Sequence, residues 1–174
     1  MKYPRLVVSV LGLVALLSFG CGKKQSDAAA GASPGSASTA TSPTAPATGR
    51  AIEVTGNDTM KFSVTEIRAK PGESLSVTLN NIGTMPKFSM GHNWVLLKGG
   101  VDADAFANEA AQSPTTDYVP QSRKADILAA TKLLGPKEKD TVTFQAPTEP
   151  GRYVFLCSFP GHYQVGMKGV LIVE

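Results

Sequence analysis

An all-β, Greek-key β-sandwich carrying one short inserted helix is the fold that residues 51–174 predict. Two observations point to it: about seven short apolar runs recur between turn signals, and within several of them apolar side chains alternate with polar ones. The runs are Ile52 to Val54, Lys61 to Ile67, Ser74 to Asn80, Asn93 to Leu97, Thr141 to Ala146, Arg152 to Cys157 and Lys168 to Val173. Leu75, Val77 and Leu79, and again Val142 and Phe144, mark strands with one buried face. Gly56-Asn57-Asp58, Pro71-Gly72, Gly99-Gly100, Gly135-Pro136 and Pro150-Gly151 supply the reversals between them. The exception is Val101 to Gln112, where Asp102, Asp104 and several alanines suit a short helix set between strands. The Asp and Lys residues between 117 and 140 read as solvated loop with no assigned role. No internal repeat is visible.

The first fifty residues differ in kind. Residues 1–20 read as a signal peptide: Lys2 and Arg5, then the charge-free apolar run Leu6 to Leu17, then small residues ahead of Cys21. That run is shorter than the ~20 residues a bilayer crossing needs. Cys21, straight after Ser18-Phe19-Gly20, resembles the acylated cysteine of bacterial lipoprotein signals, although Leu17 stands one position early and Phe19 is bulky. The alternative is cleavage nearby to give a free protein. Residues 21–50 then form a linker rich in Ala, Ser, Pro and Thr. From Lys23 on it lacks Leu, Ile, Val, Met and aromatics, so nothing offsets the entropy of ordering it. A flexible segment of that length spans ~30 Å.

Charge excludes one large class of partner. The whole chain is formally +3, but Lys2, Arg5, Lys23, Lys24 and Arg50 face only Asp27 in the first fifty residues. The remainder carries 12 basic and 13 acidic groups, without the basic footprint that nucleic acid requires. Cys21 and Cys157 are the only cysteines, too few for a disulfide scaffold.

The chemistry gathers at the carboxyl end. Cys157 closes a predicted strand, Ser158-Phe159-Pro160-Gly161 reverses the chain, His162 follows, and Met167 precedes the last strand. Upstream, His92 stands in Met90-Gly91-His92-Asn93-Trp94, and the chain has no histidine besides these two. Singly, a cysteine or methionine in an apolar strand is ordinary core. Together, one thiolate, two imidazoles and a thioether are the donor set of a copper electron-transfer centre. A structural zinc site would call for more thiolates, commonly in close C-x2-C pairs, which are absent. Cysteine-protease chemistry would leave Met167 without a purpose.

The segments VTGNDTMKFSV, MGHNWVL, ATKLLG, KDTVTF and CSFPGHYQVGMKGVLIV resemble the azurins. HNWVLLKGG and CSFPGHYQVGMKG are similar to the auracyanin branch of the same blue-copper, or cupredoxin, family. The resemblance runs through nearly all of residues 51–174 and implies a cupredoxin-like copper domain there. It implies one copper ion, cycling between Cu(I) and Cu(II), with His92, Cys157 and His162 as in-plane ligands and Met167 as the axial one. The Gly91 carbonyl would approach from the opposite side. Asn93 and Phe159 would aim backbone N–H groups at the Cys157 sulfur, and the Asn93 side chain would tie two loops together. Met60, Met85, Met90 and Pro160, with Phe159, would surround His162 as a docking patch, whereas Trp94 reads as core. Azurins have one residue fewer between the loop His and Met, and they carry a disulfide near the domain start that this chain lacks.

The function implied is an exported type 1 copper protein that passes single electrons between redox partners and performs no bond-making catalysis. Partners would be c-type cytochromes, quinol-oxidising complexes, a photosynthetic reaction centre or a terminal reductase. The protein would act as a monomer at the periplasm or outer face of a bacterial envelope, held to a membrane through a lipid on Cys21. The alternative is a copper storage or delivery protein, although such proteins favour exposed Met and His clusters. A copper enzyme would need further histidines for a catalytic ion.

Overall fold

The computed structural model describes residues 49–174. The expected signal peptide, Cys21 and the expected linker as far as residue 48 lie outside the described residues. Among the described residues eight strands form two sheets. In the first, β1 (Arg50–Gly56) pairs in parallel with β3 (Ser74–Asn81), which pairs antiparallel with β6 (Lys139–Gln145). The second has the order β2-β8-β7-β4-β5, built from β2 (Glu66–Ala69), β4 (Val95–Leu97), β5 (Ile127–Ala130), β7 (Gly151–Leu156) and β8 (Lys168–Val173). Strand β2 runs parallel to β8, and the other pairs are antiparallel.

The period-2 pattern decides which faces meet. Leu75, Val77 and Leu79 of β3 are fully buried, while Ser76 and Thr78 point outward and pair hydroxyls with Thr143 and Thr141 at 2.8 Å. Trp94, at the centre of the core, lies 5.2 Å from the Phe155 ring and 5.9 Å from the Phe144 ring, bridging the two sheets. Strand β4 is buried on both faces, because helix α2 (Ala103–Ala110) packs Phe106, Ala107 and Ala110 against Val95, Leu97 and Leu156. Asp102 caps that helix, accepting the Ala105 N–H at 3.0 Å.

Three expectations need correction. Lys61 to Ile67 is not a strand throughout: after a left-handed Met60 at φ 56°, Phe62 makes only an isolated bridge back to Gly56 of β1, and β2 begins at Glu66. Asn93 precedes β4 rather than opening it, and a short helix α1 (Lys87–Met90) lies just upstream. The stretch 117–140 is largely structured. It holds β5 and the 3-10 helix Gln121–Asp126, Arg123 bonds Asp126 and Glu109, and Asp140 accepts the Lys132 N–H at 2.9 Å. Ile127–Ala130 carries no polar alternation, so its pairing with β4 leaves no periodic trace in the sequence.

Asp117 and Tyr118, after a 3-10 turn at Pro114–Thr116, adopt φ of 53° and 60°. Left-handed backbone costs a non-glycine residue roughly 1–2 kcal/mol, so the surrounding structure has to hold this pair.

Candidate metal centre

The ligand loop is closed by its own backbone. Cys157 follows β7 directly, its N–H donates to the Met167 carbonyl at 3.0 Å, and the Met167 N–H donates to the His162 carbonyl at 2.9 Å. Inside this ring the chain turns at Gly161, φ 82°, where no atom crowds an added Cβ; glycine is needed there for conformation alone. Lys61 Nζ ties the loop from outside by donating to the Val165 carbonyl.

His92 comes from a separate segment, between α1 and β4, the strand that lies beside β7 in the same sheet. It forms an isolated antiparallel bridge with Leu134, donating its N–H to the Leu134 carbonyl at 3.1 Å and accepting the Leu134 N–H at 2.7 Å. That carbonyl also accepts Asn81 Nδ2 at 3.1 Å. Asn81, itself buried, accepts the Gly83 N–H at 2.9 Å.

These two arms bring His92, Cys157 and His162 into one buried cluster whose ligating atoms lie within 4.8 Å of one another. The Nδ1 atoms of the two histidines are 3.3 Å apart, and Cys157 Sγ is 3.3 Å from His162 Nδ1. Met167 is fully buried beside them. An added Cβ at Gly56 would fall 2.9 Å from Met167 Cε and 3.3 Å from His92 Cδ2, so that glycine makes the room both side chains occupy. The Gly91 carbonyl oxygen lies 4.0 Å from Sγ. Gly91 is crowded too, since a Cβ would meet the Lys87 carbonyl at 2.7 Å.

The electrostatics fit a copper ion. Burial pushes the Cys157 thiol up to about 12, opposed by the backbone N–H groups of Asn93 and Phe159. Burial, with His92 as neighbour, pulls His162 down to about 4. His92 is lowered as well, by burial, against the Asn57 carbonyl and the Asp58 charge; its Nε2 nevertheless finds no partner of hydrogen-bonding geometry. Burial thus favours the neutral form of both imidazoles, the form that ligates. A buried thiolate requires a cation, so binding a metal here displaces the thiol proton. Two inward-facing imidazole nitrogens beside one sulfur, in a water-excluded pocket, match the soft-and-borderline donor set that selects copper.

Around the cluster, Asn93 bolts the arms together. Its Oδ1 accepts the Ser158 N–H and its Nδ2 donates to Ser158 Oγ, both at 2.8 Å. Of the residues expected in a docking patch, Met85 is 41% exposed, whereas Met60, Met90 and Pro160 are half-buried and Phe159 is buried. Trp94 is core. The sequence reading missed the largest exposed apolar groups among the described residues: Phe88 at 84%, Ile82 at 54% and Val165 at 48%. Phe88 stands among polar neighbours in Met-Pro-Lys-Phe-Ser-Met, four residues before His92, which was a readable signal. Gly56, Asn81 and Leu134 were also missed, because their roles depend on contacts remote in sequence.

Comparisons with known proteins agree with this geometry. Residues 49–174 match the model of copper binding proteins of the plastocyanin/azurin family. Auracyanin-B of Chloroflexus aurantiacus is 44% identical over 98 residues, covering 56% of this chain and 39% of its own length. Azurin of Pseudomonas chlororaphis is 36% identical over 126 residues, 71% of this chain and 97% of that protein. Outer membrane protein H.8 of Neisseria gonorrhoeae is also 36% identical, over 71% of this chain and 68% of its own. Among solved structures, dithionite-reduced auracyanin from Roseiflexus castenholzii is similar with a TM-score of 0.63 and 39% identity, covering 73% of this chain and 98% of that one.

Proposed function

The chain belongs to the plastocyanin/azurin family of copper-binding proteins, and on that premise we propose that it carries single electrons between redox proteins of a bacterial cell envelope. His92 Nδ1, Cys157 Sγ, His162 Nδ1 and the Met167 thioether would hold the copper, with the Gly91 carbonyl close by. The observation that carries this reading is the buried meeting of two Nδ1 atoms and one Sγ within 4.8 Å. Bound there, copper supplies a one-electron couple and an intense sulfur-to-metal absorption.

The chain's own part is to keep the donors still. The self-closed Cys157–Met167 loop, the His92–Leu134 bridge and the Asn93–Ser158 bolt leave little to rearrange when the charge of the site changes. Small rearrangement favours fast transfer. Once His92 and His162 serve as ligands the chain has no further histidine for a catalytic ion, which supports a carrier rather than an enzyme.

The location rests on sequence. Residues 1–20 act as a signal peptide, Cys21 takes a lipid, and residues 21–50 tether the copper domain, 51–174, to a membrane. The likeness to a protein named for the outer membrane supports an envelope setting. Partners are c-type cytochromes, quinol-oxidising complexes or reductases, met by a monomer through the surface near His162, and the exposed apolar Phe88, Ile82, Val165 and Met85 are candidates for that contact.

Copper-loaded protein should be intensely coloured and give a reversible voltammetric wave. Cys157→Ser should abolish the colour, and Met167→Gln should keep it while lowering the potential. A colourless wild type, or a blue serine variant, overturns the ligand assignment. Storage or delivery predicts ready loss of copper to a chelator, whereas an enclosed site predicts slow exchange.

A further inference from the structure

We propose that Tyr118 is a positioning residue of the metal centre, which holds the His162 ring in place through Phe159 and is itself pinned by Ser158 and Asn93. The inference rests on the ligand reading above. Three rings run in file toward the site. Tyr118 packs edge-on against Phe159 with centroids 4.9 Å apart and planes at 66°, and Phe159 packs against His162 at 4.7 Å and 38°.

Tyr118 reaches this place by an unfavourable route. It and Asp117 are consecutive non-glycine residues with left-handed backbone, a conformation that a bulky side chain keeps only where its surroundings over-determine it. Those surroundings are the residues that follow the ligands. Ser158, next to Cys157, donates its hydroxyl to the Tyr118 carbonyl at 2.6 Å. Asn93, next to His92, donates Nδ2 to that same hydroxyl oxygen at 2.8 Å and, at 3.4 Å, to the Asp117 carbonyl. The Tyr118 N–H donates to the Ser113 carbonyl at 3.0 Å. The Asn93–Ser158 bolt therefore extends outward and sets a third ring against the Phe159–His162 pair. It is the Tyr118 ring that makes the contact, so phenylalanine should replace it.

The test compares wild type with Tyr118→Phe, Tyr118→Leu and Ser158→Ala. Fold is checked by circular dichroism, copper affinity by competition with a chelator, and the order of the two imidazole rings by NMR relaxation of the metal-free protein. Tyr118→Leu should bind copper about tenfold more weakly, at the low end of what losing an outer partner of a ligand costs. It should loosen the His162 ring and leave His92 unchanged. Tyr118→Phe should stay within about twofold of wild type, and Ser158→Ala should lose affinity in the same direction as Tyr118→Leu, by less. A folded Tyr118→Leu with wild-type affinity and His162 order overturns the proposal, as does equal loosening of both histidines or a phenylalanine variant as weak as leucine. Undiminished affinity in Ser158→Ala overturns the pinning. A wild type that takes no copper sinks the ligand reading instead, which separates the two failures.

Discussion

The loop that supplies Cys157, His162 and Met167 and the arm that supplies His92 reach the same point by different means. The loop spans eleven residues and closes through its own backbone, Cys157 to Met167 and Met167 to His162. The arm has no closure of its own. It is placed by Leu134 across an isolated bridge, by Asn81 on the Leu134 carbonyl, and by the space left at Gly56. One half of the site thus depends on local chain geometry and the other on contacts made only after both sheets have assembled. Damage to remote packing should fall first on His92.

The largest effect expected from that contrast is at Asn81. Asn81→Leu leaves the Gly83 N–H without its buried acceptor and the Leu134 carbonyl with one donor fewer, at a cost of about 1–3 kcal/mol. Urea unfolding should register the loss, and it should be accompanied by a change in the copper spectrum if the arm depends on distant support. An unchanged spectrum would make the two halves equivalent. Gly161→Ala probes the loop by conformation alone, since nothing crowds the position. It should cost about 1–2 kcal/mol without altering the His92 environment in NMR spectra. Gly56→Ala should cost about 1 kcal/mol through overpacking, yet shift the reduction potential, because the new methyl group meets Met167 Cε and the His92 ring.

The smallest effect concerns pH. Asp58 accepts the Thr84 N–H and hydroxyl and, more weakly, the Met85 N–H, and these bonds, the Thr84 N–H foremost, hold its carboxyl below the ordinary 3.8. A depressed pKa stabilises the fold above the unfolded value and ceases to do so as pH falls through the folded one. The contribution is therefore complete above about pH 4 and disappears below it. Unfolding midpoints followed from pH 5 to 2 should decline less steeply in Asp58→Asn than in wild type.

The same contrast explains what the sequence disclosed. Cys157, His162 and Met167 were legible because their spacing lies within one loop, and β3 because Leu75, Val77 and Leu79 alternate with polar residues. His92 was legible as a ligand through its residue type and neighbours, but its support was not, since nothing in the chain marks Leu134 or Asn81 as its neighbours. Strand β5 was hidden because it is short and lacks alternation. The start of the run at Lys61 was misjudged because a methionine, not a glycine, makes the left-handed turn ahead of it. Phe88 shows the opposite failure. An aromatic residue suggests core, and this one is the most exposed large apolar group among the described residues.

Strand β1 has a directional consequence. It enters at Arg50 and arrives at Gly56 against Met167 and His92, and at ~3.3 Å per residue the two ends are ~20 Å apart. The two ends of β1 are thus assigned to opposite poles of the sandwich: Arg50 marks its foot, and Gly56 sits at its crown, where the Cys157, His92 and His162 side chains converge.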